Sequence, residues 1–136
     1  MINVFQIRIP IKLFKIVFLL SLVGLSFSCK KNQLGGPSTI KGVVKHHAKL
    51  IGNATIFIKF NAKEFPGTDE SIYDEKVTAN ALGEFEIKCY QGNYYLFGSG
   101  IDNQVLINGG KVIGGIPVKI RNNENLDLIV AVTEGD

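Results

Sequence analysis

From residue 39 onward, apolar residues recur at every second position, the period of a strand with one buried face. Ala54, Ile56, Ile58 and Phe60 share one side of a strand predicted over residues 53–60, and Leu126, Leu128, Val130 and Val132 share one side of a strand over 126–133. Phe85, Ile87 and Cys89 do the same over 84–89, and further strands are predicted over 39–45, 72–79 and 94–99. Turn-forming residues punctuate the pattern at 46–52, in a polar loop over 61–71 that holds Pro66-Gly67, at Asn80-Ala81-Leu82-Gly83 and at Gln91-Gly92-Asn93. Asn108-Gly109 supplies the positive φ values of a tight hairpin turn and predicts a pairing of residues 105–107 with 111–113. Gly114-Gly115 and Pro117 then break the alternation, which predicts a bulge or an edge strand before a strand over 118–121. No segment here has a sustained helical period. Short strands at this spacing predict an all-β fold, a Greek-key-type β-sandwich of about seven strands, and residues 39–136 are enough for one two-layer core.

The first 28 residues follow a different rule. Residues 16–25 form an almost unbroken apolar run, preceded by Arg8, Lys12 and Lys15 and by no acidic residue. A run of about a dozen apolar residues behind a basic segment has the dimensions of an export signal, whereas a membrane-spanning helix needs about 20. The run ends in Ser26-Phe27-Ser28-Cys29-Lys30-Lys31. A small residue before a cysteine at the end of such a signal resembles the lipobox of bacterial lipoproteins, although Ser26 stands where that family more often has leucine. The resemblance implies cleavage before Cys29 and a diacylglyceryl group on its sulfur, so that the chain is held to a membrane by lipid. It also implies an envelope location. Lys30 in place of the aspartate that retains lipoproteins in the inner membrane, with no acidic stretch following, points to the outer membrane and a periplasm-facing attachment. Residues 30–38, rich in Gly, Pro and polar side chains, are expected to form a short flexible linker with a reach of about 30 Å at roughly 3.3–3.6 Å per residue. The expected organisation is thus a signal peptide over 1–28, a lipid-anchored linker over 29–38 and a sandwich domain over 39–136.

This division changes the meaning of the charge. The whole chain carries 15 Lys+Arg and 12 Asp+Glu, but three of the basic residues lie in the signal, which leaves 12 of each sign. Nothing in that balance suggests a nucleic-acid partner. The cysteine count is two. If Cys29 carries lipid, Cys89 has no disulfide partner and is expected to be a buried, inert thiol.

Four motifs then stand in order: Ile40-Lys41-Gly42-Val43-Val44, Leu50-Ile51-Gly52-Asn53-Ala54-Thr55-Ile56, Ala79-Asn80-Ala81-Leu82-Gly83-Glu84-Phe85 and Gly92-Asn93-Tyr94. Together they resemble the carboxypeptidase regulatory-like domain, a transthyretin-like or prealbumin-like β-sandwich, over roughly residues 39–101, with Asn80 where that family more often has Asp. The resemblance implies a non-catalytic accessory module. Fold does not fix function, so each chemically suggestive residue is weighed separately.

His46-His47 is a candidate metal pair, but neighbours on a strand point to opposite faces unless a turn brings them together, and no third Cys or His apart from Cys89 completes a set. A solvated turn and no metal are the expectation. Asp69, Glu70, Asp74 and Glu75 lack the spacing of a calcium loop. Ser71 and Ser99 sit in no nucleophile motif, so no catalytic residue and no cofactor are expected. Aromatics remain. With no Trp, possible ligand contacts fall to Tyr73, Tyr90 and Tyr95, with Tyr94 reserved for the core. Two functions follow from this reading: a membrane-anchored structural or protein-interaction module with an envelope protein as partner, or a module that binds a small ligand or glycan.

Overall fold

The computed structural model describes residues 30–135; the signal segment and Cys29 lie outside the described residues. Eight strands follow in order: β1 (Leu34–His46), β2 (Lys49–Leu50), β3 (Thr55–Phe60), β4 (Glu75–Thr78), β5 (Glu84–Cys89), β6 (Gly92–Ile101), β7 (Lys111–Ile120) and β8 (Asn125–Val132). They form two four-stranded sheets. In the first, β8 runs parallel to β1 along residues 39–46, while β5 and the short β2 pair antiparallel with β1 on its other edge. The second has the order β4-β3-β6-β7, all antiparallel. The chain is a β-sandwich.

Period-2 patterning decides which side chains meet between the sheets. Ile40, Val44, Phe85, Ile87, Val130 and Val132 from the first sheet pack with Ile56, Ile58, Tyr94, Leu96, Val118 and Ile120 from the second. Cys89 is fully buried in this core, where loss of solvation pushes its thiol pKa up. A second, smaller cluster lies on the outer face of β3 and β6. There Phe57, Tyr95 and Phe97 are covered by the loop over residues 61–74, with Tyr73 stacked on Phe97 at 5.5 Å between ring centroids.

Two expectations need correction. The segment over 34–38 is no free linker: it is part of β1, and Asn32 and Gln33 bond to the β5–β6 turn through Asn32 N–H to Gln91 O (3.1 Å) and Tyr90 N–H to Gln33 O (2.8 Å). Leu34 also packs on the core, so the domain begins before residue 39. Residues 105–107 form no strand. Asn108, Gly109 and Gly110 do adopt positive φ, but as a left-handed turn that leads into β7, whose partner is β6. The physical reason is Asp102, which bonds its own N–H to Gly110 O and accepts from Gln104 N–H, closing residues 102–110 into a loop. The edge-strand alternative at Gly114, Gly115 and Pro117 is met: β7 lies at the edge of its sheet and runs through all three residues without a break. Gly114 is opposite Gly98, and a Cβ on Gly114 would stand 2.2 Å from Ala131 O. The paired glycines let β8 approach the second sheet where the Ile113–Thr133 bridge joins them.

Candidate functional site

The alternation that builds the core also carries two polar residues to its end. On β1, Ile40, Val44 and His46 continue one inward face; on β6, Tyr94, Leu96 and Gly98 lead by the same period to Asp102 just beyond the strand. His46 and Asp102 therefore meet between the sheets where the apolar core stops. Both are buried, at 5% and 2% exposure, and His46 Nδ1 lies 2.8 Å from Asp102 Oδ2. The β1–β2 pairing sets Lys49 opposite His46, and the Lys49 ammonium donates to Asp102 Oδ1. Glu134, just after β8, places Oε1 3.2 Å from His46 Nε2.

Charge complementarity governs this cluster. Lys49, with the Gln104 N–H and His46, holds the Asp102 carboxyl well below the usual carboxylate range. The hydrogen bond to Asp102 raises the His46 pKa against the opposing cost of burial. Glu134 is lowered, first by its own backbone N–H and then by His46. His46 Nε2 is nevertheless left without a hydrogen bond of good geometry, since Glu134 is in ion-pair reach but not aligned.

The expectation of a solvated turn at His46-His47 is thus wrong for His46. It is right that a turn follows: His47 adopts φ +52°, and that left-handed backbone swings its ring to 4.4 Å from the His46 ring at an interplanar angle of 49°. The condition under which neighbouring histidines share a site is met. A depression of about 670 Å³ opens over the cluster, walled on one side by Val105, Leu106 and Ile107. Leu106 is 96% exposed, and Ile107, Ile101 and Leu50 are exposed as well. No serine, threonine or cysteine lines this depression among the described residues, so it offers histidine, carboxylate and amine chemistry without a nucleophilic hydroxyl or thiol.

The three tyrosines expected as possible ligand contacts are not gathered into a platform. Tyr95 is buried in the outer aromatic cluster, Tyr73 is half-buried there with its hydroxyl donating to Gly67 O (2.8 Å), and Tyr90 stands at the β5–β6 turn beneath Lys30. Three of the four acidic residues weighed above have structural partners. Asp69 caps the turn at Ser71, Asp74 pairs with Lys59 and accepts from Phe60 N–H, and Glu70 reaches Lys111. A shallow groove on the outer face of the first sheet is a solvated strand surface carrying the Lys41–Glu86 pair at 3.5 Å.

Neither protein-family models nor curated proteins give a match to this chain. The site therefore has to be read from its own geometry. Sequence reasoning missed the His46–Asp102 pair, which are 56 residues apart. The available signal was the inward register of β1 and β6, carried one step further at each strand end.

Proposed function

We propose that the chain is a lipid-anchored envelope protein whose sandwich is a non-catalytic structural or protein-interaction module, attached through Cys29 to the outer membrane and facing the periplasm. The observation that carries this reading is the basic, then apolar run that ends in Ser28-Cys29. The likeness of the four ordered motifs to the carboxypeptidase regulatory-like domain supports it, as does the β-sandwich itself.

The placement of the ends adds a geometric argument. Asn32, Gln33 and the start of β1 bind at the β5–β6 turn, whereas His46, Asp102 and the exposed Leu106 stand where β1 and β6 finish. Seven residue steps from Thr39 to His46 separate these ends by about 23 Å at roughly 3.3 Å per residue. Only residues 29–31 remain as a leash, so a lipid on Cys29 holds the β5–β6 turn close to the headgroups and presents the apolar tip away from them. Tethering of this kind raises the local concentration of the tip for an envelope partner. The glycan-binding alternative draws no support from tyrosines that are buried, stacked or apart.

A Cys29→Ser chain expressed in a bacterial envelope tests the anchor. The expected result is loss of the acyl modification by mass spectrometry and accumulation of a chain that keeps its N-terminal basic and apolar segment. Acylation and processing equal to the wild type overturn the reading. Crosslinking from native membranes with lipid intact is then expected to recover one stoichiometric envelope protein.

A further inference from the structure

We propose that His46, His47 and Glu134 form a binding site for a divalent transition-metal ion of the zinc class, with Asp102 as the residue that orients His46. This inference stands on the domain's own geometry and does not depend on lipidation.

One donor atom each from His46, His47 and Glu134 already lies within 4.8 Å of the others. Two imidazoles and a carboxylate are a donor set that zinc accepts, at metal–ligand distances of about 2.0–2.2 Å in a tetrahedral arrangement that leaves a fourth position to water. Donors around such an ion stand about 3.3 Å apart, so the cluster has to contract by an ångström or so. The residues able to move are the right ones. His47 is exposed and Glu134 half-buried, both next to turns or the end of a strand, whereas His46 is held in the core.

His46 Nε2 supplies the independent pointer. It is a buried nitrogen with no well-aligned hydrogen bond, on a side chain only 6% exposed, and it faces the His47 ring and Glu134 Oε1 at 3.2 Å. An unpaired buried polar atom is costly, and an ion between the three groups would satisfy it. The opposite ring nitrogen is already arranged for ligation. Nδ1 is bonded to Asp102 Oδ2, the carboxylate–histidine contact that fixes tautomer and ring orientation in metal sites. Asp102 in turn is held by Lys49 and by Gln104 N–H, so its charge is engaged and it serves to position His46 rather than to compete for the ion. The turn at His47 then has a chemical purpose, because only a left-handed residue there sets the second imidazole beside the first.

The test is an equilibrium titration of the full chain with zinc against a chromophoric chelator, repeated with cobalt(II), in a Cys29→Ser background that removes a competing thiol. The expected result is binding of one zinc per chain, a rise in Tm with zinc, and the intense visible absorption of tetrahedral cobalt. His47→Ala, at an exposed turn, is expected to fold with the parent's metal-free Tm, and Glu134→Gln, which loses its contact with His46, to fold with a slightly lower one; both are expected to bind zinc at least about tenfold more weakly. Asp102→Asn is expected to weaken binding by about 10–100-fold as a positioning effect. A parent chain that binds no zinc overturns the proposal. So does zinc binding that His47→Ala and Glu134→Gln leave unchanged, which would mean that the ion sits elsewhere.

Discussion

Asp102 is a carboxylate at 2% exposure that accepts from an ammonium, an imidazole and a backbone N–H. Removing its charge leaves Lys49 without the carboxylate it donates to, and an amide NH2 in place of one carboxylate oxygen sets a donor against a donor in a buried site. Asp102→Asn is therefore expected to lower Tm by several degrees in a thermal melt. Lys41→Ala, which removes an ion pair exposed on both sides, is expected to leave Tm within measurement scatter. A sequence pattern marks neither outcome, since an Asp after a strand and a Lys within one look equally solvated. Only the partner across the sandwich separates them.

At the scale of elements, glycines decide how closely strands approach. Gly98 and Gly114 face each other across β6 and β7, and Gly98 lies under Val130 and Val132 of β8. The sequence presents Gly114-Gly115 as an interruption, because glycine weakens a strand when only local preference counts. In the sandwich the same residues permit a contact that a side chain would block. Gly114→Ala is expected to destabilise the fold by about 1–3 kcal/mol in urea unfolding, with the strain carried by the Ala131 backbone. The Asn108-Gly109 turn shows the converse. Its positive φ values were legible, but the choice between a hairpin and a left-handed turn within a closed loop depended on Asp102, which no neighbour in sequence reveals.

At the scale of the whole molecule, the central strands β3 and β6 of the second sheet are covered on both faces, with Tyr94 in the inner core and Tyr73 in the outer aromatic cluster. Burial pushes both phenols up from 10.0 to about 12. An unfolded chain gives up these protons near pH 10, while the folded chain keeps them to about 12. Between those values the unfolded state binds fewer protons, so stability falls as pH rises. Chemical denaturation at pH 9, 10 and 11 is expected to show a declining midpoint above pH 10, and tyrosinate absorbance is expected to show late ionisation of Tyr73, Tyr94 and the likewise buried Tyr95 in the native state. A flat midpoint over this range would contradict burial of these hydroxyls.

Local chemistry was enough to determine the β class, most strand positions, the turn at Asn80 and the inward faces of β5 and β8, because a period of two writes burial directly into residue order. The basic and apolar N-terminal run is likewise a property of sequence alone. Tertiary structure decided the parallel pairing of β8 with β1, the docking of residues 32–38, the dispersal of the tyrosines and the meeting of His46 with Asp102, His47 and Glu134. Each of these depends on which distant strand ends share one end of the sandwich. That is set by the packing of two sheets, and a single strand's alternation holds no record of it.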